Sequence, residues 1–256
     1  MAARRYNGCM ATPQGASSQP FAVFDIDGTV IRWQLYHAIV DQLGKQNQLP
    51  AGLHAHIRDA RHTWKSRSHT SSFSEYEHTL IRVYHEALTN LDSAAYDRAV
   101  TTVFETYKDQ VYTYTRDLIR ELKENGYLLF AISGSQQEII QKLAEYYGFD
   151  EAIGTRYEQL DGHFTGNREA VYGHKGELLT DLMAKHHLSA KGSIAVGDTV
   201  SDIDMLQLVE RPIAFNPSRE LFEHAQGAGW EIVVERKNMI YHLEQHGGTY
   251  QLAKAK

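Results

Sequence analysis

Phe21-Ala22-Val23-Phe24-Asp25-Ile26-Asp27-Gly28-Thr29 is a short apolar run that ends in two carboxylates two residues apart. Four apolar residues make a buried strand and are too few for a helix, and Gly28 lets the chain leave that strand. The carboxylates therefore belong at a strand's carboxyl end, where open α/β sheets gather ligands in a crevice. Strand alternation sends Asp25 and Asp27 to one side and Ile26 to the other. Two like charges so placed repel, which is tolerable if a cation sits between them or if one holds a proton. An EF-hand loop fits badly: counting from Asp25 the glycine is fourth and the twelfth residue is Tyr36, where that loop needs glycine sixth and glutamate twelfth.

Working outward, strand and helix signals return in pairs after residue 116. Leu118, Ile119 and Leu122 mark a helix ended by Asn125-Gly126. Tyr127 to Ile132 reads as a strand, Ser133-Gly134-Ser135 as a tight turn, and Ile139, Ile140, Leu143, Ala144 and Tyr147 as the helix that follows. Strand, small-residue turn and helix is the unit of a parallel sheet, and its turn offers a hydroxyl and bare N–H groups to a phosphate. Asp161-Gly162 between strand-like runs signals a hairpin. Gly173-His174-Lys175-Gly176 opens another helix, and Ser193 to Val196 is a buried strand running into Gly197-Asp198-Thr199-Val200-Ser201-Asp202. Asp198 thus stands where Asp25 stands, just past a strand. Pro212 to Phe215 and Trp230 to Val234 add two strands, with a helix near Arg219 to Ala225 between them, and from about Gln245 the chain reads as a polar tail.

Between these two regions, residues 33–115 carry helical periodicity only. Tyr76, Leu80, Val83, Tyr84, Ala87 and Leu88 form one stripe, and Tyr96, Val100, Val103, Phe104, Tyr107 and Val111 another, with Leu91-Asp92-Ser93 as loop and cap between them. Leu49-Pro50-Ala51-Gly52 breaks an earlier helix that contains Tyr36, Ile39, Val40 and Leu43. A basic face, His54, Arg58, Arg61 and Lys65, reads as a solvated surface or as a holder for an anionic substrate group. Seven of the fourteen histidines lie in this segment at spacings that form no recognisable ligand set.

The 256 residues, 42% of them hydrophobic, suffice for a substantial core. A net charge of −6 and a pI near 6.1 argue against nucleic acid or an anionic membrane as the main partner. No run approaches a membrane span. The single cysteine, Cys9, rules out an intrachain disulfide framework and suits a reducing, cytoplasmic setting. Residues 1–19, rich in Gly, Ser, Gln and Ala, read as a disordered extension.

Taken in order, Asp25 and Asp27, Ser133, Lys175, and Asp198 with Asp202 resemble the four motifs of the haloacid dehalogenase superfamily over roughly residues 20–245. The helical segment resembles the cap of the subgroup that includes phosphoserine phosphatase. The resemblance implies a Rossmann-like, doubly wound parallel sheet, an α/β core over 20–32 and 116–245, with an all-α cap over 33–115 and a tail over 246–256. It also implies a Mg²⁺-dependent phosphatase acting on a small phosphorylated metabolite. In that scheme Asp25 is the nucleophile that becomes an aspartyl-phosphate and Asp27 is the general acid and base. Ser133, Gly134 and Lys175 bind phosphate; Asp25, Asp198 and the carbonyl of Asp27 bind the metal, and Asp202 orients the metal shell.

Two departures bear on substrate. The resemblance places a serine-binding glutamate nine residues after the nucleophile, where this chain has Gln34, and an asparagine before the last aspartate, where it has Ser201. Gln34, Arg58 and Arg61 are therefore the candidate specificity residues, and phosphoserine is not the expected substrate. A phosphotransferase or hexose-phosphate mutase would use the same two aspartates. A receiver-type phospho-acceptor module also combines acids and a lysine, but such modules are about half this length. Dehalogenases of the superfamily would have little use for Asp27 and Asp198.

Overall fold

The computed structural model describes residues 19–67, 69 and 72–255; the extension expected over 1–19, with Cys9, lies outside them except for Gln19. Strand β1 (Phe21–Phe24) is buried along its whole length and lies mid-sheet, paired in parallel with β2 (Leu128–Gln136) on one side and β5 (Ile194–Gly197) on the other. Its period of two splits the core. Ala22 and Phe24 join one apolar cluster, Phe21 and Val23 the other, and neighbours follow suit: Leu129 and Ala131 against Phe130 and Ile132, Ile194 and Val196 against Ala195. A sheet apolar on both faces must be covered on both, which is why its central strands read as unbroken hydrophobic runs.

Beyond β5 lie β6 (Arg211–Phe215) and β7 (Glu231–Arg236), both parallel; beyond β2 lies parallel β3 (Glu151–Leu160) and then β4 (His163–Glu169), antiparallel. The β3–β4 hairpin turns at Asp161-Gly162, both with positive φ, as the dipeptide foretells. On the far edge β8 (Met239–His246) and β9 (Thr249–Ala255) form an antiparallel hairpin. This corrects the polar tail expected over 246–256. Tyr250 is the anchor: its hydroxyl reaches the carbonyls of Trp230 at 2.7 Å and Ala225 at 3.2 Å. The strand order is β4-β3-β2-β1-β5-β6-β7-β8-β9.

One face of the sheet is covered by α7 (Lys175–Lys185), the short α8 (Ile203–Leu206) and α9 (Arg219–Ala228). The other meets α5 (Thr113–Glu124), α6 (Gln137–Tyr147) and the inserted helices α1 (Leu35–Lys45), α2 (Ala51–Lys65), α3 (Ser72–Leu88) and α4 (Ser93–Tyr107). The insertion is not a separate core: Leu35, Ile39, Tyr76, Leu80, Tyr84 and Tyr96 belong to the same cluster as Phe24 and Leu129. Asp92 caps α4 by accepting from the N–H groups of Ala94 and Ala95, as its position suggests. The insertion's two strands of chain are tied by Arg32 N–H to Gln110 O at 2.8 Å and Tyr112 N–H to Val30 O at 3.1 Å. Helix α5 starts at Thr113, earlier than the expected boundary at Arg116, because Glu235 of β7 accepts from Thr113 and Tyr114 N–H and so caps it from across the fold.

A candidate active site at the carboxyl ends of the central strands

Asp25 follows β1 directly, and its N–H still donates to Val196 O at 2.9 Å, so the sheet holds its backbone. Lys175, the first residue of α7, crosses beneath it. Its Nζ donates to Asp25 Oδ1 at 2.7 Å and to Asp202 Oδ1 at 2.6 Å, with all three side chains buried. Asp202 is held on its other oxygen too, by the N–H groups of Asp198 and Thr199 at 3.0 and 2.9 Å. Those bonds fix the loop after β5, in which Thr199 and Asp202 cap a single 3₁₀ turn, Val200–Asp202, reciprocally. One oxygen from each of Asp25, Asp198 and Asp202 falls within 4.8 Å of the others, while Asp25 Oδ2 is buried and has no partner.

Gly28 makes this approach possible. Its φ is +84°, and a Cβ there would lie 2.1 Å from Asp198 Oδ2. No other residue type adopts that backbone and leaves that space.

Asp27 faces a different set of partners. Its Oδ1 accepts from Leu35 N–H at 2.5 Å and its Oδ2 from Ser133 Oγ at 2.7 Å. Leu35 opens α1, whose preceding residue Gln34 provides no side-chain cap, so Asp27 takes that role and gains the positive end of a helix. The next N–H, of Tyr36, goes to Ser135 Oγ at 3.0 Å. Thus the insertion's first helix is clamped to the loop after β1 and to the end of β2 at once.

Electrostatics separate the carboxylates. Burial raises Asp25 to about 7; Lys175 opposes that, and Asp202 and Asp27 add to it. Burial likewise raises Asp27, against the hydrogen bonds of Ser133 and Leu35, and pushes Asp198 well above the usual carboxylate range, with Asp25 adding to it. For Lys175 burial acts to lower the pKa, yet the two carboxylates outweigh it and hold the ammonium charged. Burial is the largest cause at all three carboxyls, and the mutual repulsion of Asp25 with Asp27, Asp198 and Asp202 adds to it.

The sequence readings fare unequally as geometry. Asp25, Asp27, Ser133, Lys175, Asp198 and Asp202 converge. Gly134 is exposed, and a Cβ on it would meet nothing within 4 Å, so the strand is open to approach on that side. The expected tight turn at Ser133-Gly134-Ser135 is instead the extended end of β2, with a register shift against β3 between Ile132 and Gln136. Its polar groups are therefore offered by strand rather than by a helix start, because Thr155 Oγ1 ties Gly134 O at 2.9 Å and holds the segment in the sheet. Gln34 reaches the loop: its Nε2 would be 3.4 Å from a Gly28 Cβ. Arg58 lies exposed on α2. Arg61 is committed inside the insertion, with Nη1 2.5 Å from Asp41 Oδ2 and Nε 2.9 Å from Tyr76 Oη, so it is not a free anion holder. The parts played by Leu35 N–H, by Ser135 as acceptor for Tyr36 N–H and by Thr199 as cap are set by the fold alone, since backbone donors and common capping residues leave no distinctive trace in sequence.

The model of a family described as haloacid dehalogenase-like hydrolase matches residues 22–207. Phosphoserine phosphatase SerB1 of Mycobacterium tuberculosis is 31% identical over 131 residues, 50% of this chain and 42% of that protein. A phosphoserine phosphatase of Archaeoglobus fulgidus is 25% identical over 221 residues, 85% of this chain and 57% of that one. The chain spans about half the length of the curated relatives it matches. Among solved structures, a protein of unknown function from Bordetella pertussis Tohama I superposes with a TM-score of 0.65 at 21% identity, covering 84% of this chain and 98% of that one. A phospho-aspartyl intermediate analogue of phosphoserine phosphatase does so with a TM-score of 0.60 at 22% identity, covering 86% and 95%. These two structures share its fold.

Proposed function

The chain belongs to the haloacid dehalogenase-like hydrolase family, and on that premise we propose that it is a Mg²⁺-dependent phosphatase of small phosphomonoesters. The observation that carries the reading is Asp25: one oxygen is pinned by Lys175 and the other is buried and unpartnered, which is how a nucleophile held ready for an electrophile is built.

The donor set suits magnesium. Asp25, Asp198 and Asp202 offer only hard oxygens, gathered within 4.8 Å. Asp25, Asp198 and the backbone carbonyl of Asp27 would hold the ion, while Asp202, engaged through both oxygens, would hold the loop that carries Asp198. Bound there, Mg²⁺ would supply the positive charge that lets an anionic carboxylate and an anionic phosphate come together.

The protein's own residues perform the rest. Asp25 Oδ2 attacks phosphorus and the ester P–O bond breaks, leaving an aspartyl-phosphate and an alkoxide. Asp27, whose carboxyl burial keeps protonated to higher pH than usual, gives its proton to that alkoxide. It then takes a proton from the water that releases phosphate from Asp25. Lys175 neutralises Asp25 and the incoming charge, and Ser133 with the N–H of Gly134 receives phosphate oxygens. The segment over 33–115 acts as the cap that closes over the leaving group.

The test is direct. Purified protein should hydrolyse p-nitrophenyl phosphate with Mg²⁺, lose that activity in EDTA and regain it when Mg²⁺ is restored. Full turnover in EDTA, or none with any divalent cation, would overturn the reading.

A further inference from the structure

The loop after β5 is held from two sides. Asp202, within the loop, accepts the N–H of Asp198 at 3.0 Å; from outside it, Ser218 N–H donates to Asp198 O at 2.7 Å. This second clamp comes from the neighbouring connection, Asn216-Pro217-Ser218, which joins β6 to α9. The connection carries no acid or base, and in sequence it reads as an ordinary turn.

Asn216 aims that connection. Its φ is +44°, a left-handed conformation that asparagine tolerates and most residues avoid, so the chain turns sharply as it leaves β6. Its N–H donates to Val233 O at 2.8 Å, and its Oδ1 accepts from Glu235 N–H at 2.8 Å. Backbone and side chain are thus both fastened to β7. The carboxamide also lies beside the hydroxyl of Tyr112, whose ring packs edge to face on Phe215 at 5.0 Å. Only Pro217, whose ring fixes φ, separates Asn216 from Ser218, so an anchor on β7 reaches Asp198 with little slack.

Asp198 needs such a hold because its surroundings are crowded and of like charge. A Cβ on Gly28 would meet its Oδ2 at 2.1 Å, and the carboxylates of Asp25 and Asp202 gather beside it. A carboxylate that its neighbours repel keeps its place only if the backbone beneath it cannot yield.

We propose that Asn216 is a positioning residue for Asp198: its carboxamide, docked on Glu235 N–H, sets Ser218 N–H against the Asp198 carbonyl and so fixes the direction in which Asp198 presents its carboxylate to a divalent cation. The inference rests on the phosphatase reading, in which Asp198 binds Mg²⁺. A turn residue without this role would contribute stability alone.

Calorimetric titration with Mg²⁺, set beside thermal melts in EDTA, tells the two roles apart. Ser218 has a φ of −58°, which proline matches, so Ser218→Pro deletes the N–H without strain at that residue. Ser218→Ala keeps the N–H and loses only the cap on Leu221 N–H. Asn216→Gly accepts the left-handed turn and loses the carboxamide, while Asn216→Asp keeps an acceptor for Glu235 N–H. Ser218→Pro and Asn216→Gly should weaken Mg²⁺ binding by about tenfold, the scale of losing a group that orients a metal ligand. Ser218→Ala should lower Tm and, like Asn216→Asp, bind Mg²⁺ within about threefold of wild type. Equal Mg²⁺ affinity in Ser218→Pro and Ser218→Ala, or an Asn216→Gly variant that melts lower yet binds Mg²⁺ as wild type does, overturns the inference. Should Ser218→Pro fail to give a cooperative melt, the two Asn216 variants carry the test. Wild type that binds Mg²⁺ alongside unaffected variants refutes this inference only; wild type that binds none refutes the metal assignment in the phosphatase reading and this inference with it.

Discussion

Ser133 and Asp27, 106 positions apart in the chain, are joined by a hydrogen bond of 2.7 Å. With Leu35 N–H on the other oxygen, that bond gives Asp27 a fixed orientation different from that of Asp25, which faces Lys175. Two aspartates separated by one residue thus have two environments, and environment is what assigns a carboxyl its chemistry.

Substitution should separate those roles. Asp25→Asn removes the nucleophile and is expected to abolish both turnover and protein phosphorylation. Asp27→Asn keeps the nucleophile and removes proton transfer, worth on the order of 10²–10⁴ in rate. With an activated aryl phosphate, attack continues while water activation fails, so aspartyl-phosphate accumulates on Asp25. Intact-protein mass spectrometry after an acid quench reads it; wild-type turnover in either variant removes that residue from the mechanism.

Lys175→Met leaves Asp25 and Asp202 buried with no counter-charge. Removing one partner of such a buried cluster costs about 3–5 kcal/mol. Urea unfolding in EDTA at neutral pH measures it, and a loss below about 1 kcal/mol would show that the lysine does not hold the site together.

Gly28→Ala places a methyl 2.1 Å from Asp198 Oδ2 on a backbone with φ +84°. The side chain of Asp198 must move, so Mg²⁺ affinity and turnover should fall together, by about tenfold or more. Titration calorimetry with Mg²⁺ gives the first and aryl phosphate hydrolysis the second. Unchanged Mg²⁺ affinity would separate Gly28 from the metal site.

In metal-free protein Asp25 titrates near 7 folded, against an ordinary value of 3.8. A raised carboxyl binds more protons folded than unfolded, so its contribution is complete below the ordinary value and is lost as pH rises through about 7. Thermal melts in EDTA should therefore weaken from about pH 5 to about pH 8, and the gain in Tm on adding Mg²⁺ should be larger at the upper pH, where the carboxylates are free to bind it. A gain independent of pH would place the ion elsewhere.

Gln34 lies against the Gly28 loop as a neutral amide. Gln34→Glu would supply a carboxylate for a substrate ammonium, and a charged hydrogen bond contributes roughly 1.5–3 kcal/mol. The phosphoserine to p-nitrophenyl phosphate ratio of kcat/KM should rise about tenfold or more. No rise would show that Gln34 does not face the leaving group.

What the chain shows without its fold is the central frame. The unbroken apolar runs Phe21–Phe24, Leu129–Ile132 and Ile194–Val196 mark strands covered on both faces, and the acids that follow β1 and β5 mark where those strands end. Such signals are local: a short apolar run, a glycine, a capping aspartate such as Asp92. The last hairpin leaves little trace because Tyr250 is its anchor in β9, while Thr249, Gln251, Leu252 and Ala253 are exposed and show no alternation of apolar and polar residues. Tertiary structure alone decided which oxygens of Asp27 and Asp202 are engaged, and that Arg61 turns inward to Asp41. Periodicity assigns a residue to a face; only packing between elements distant in sequence determines what that face meets.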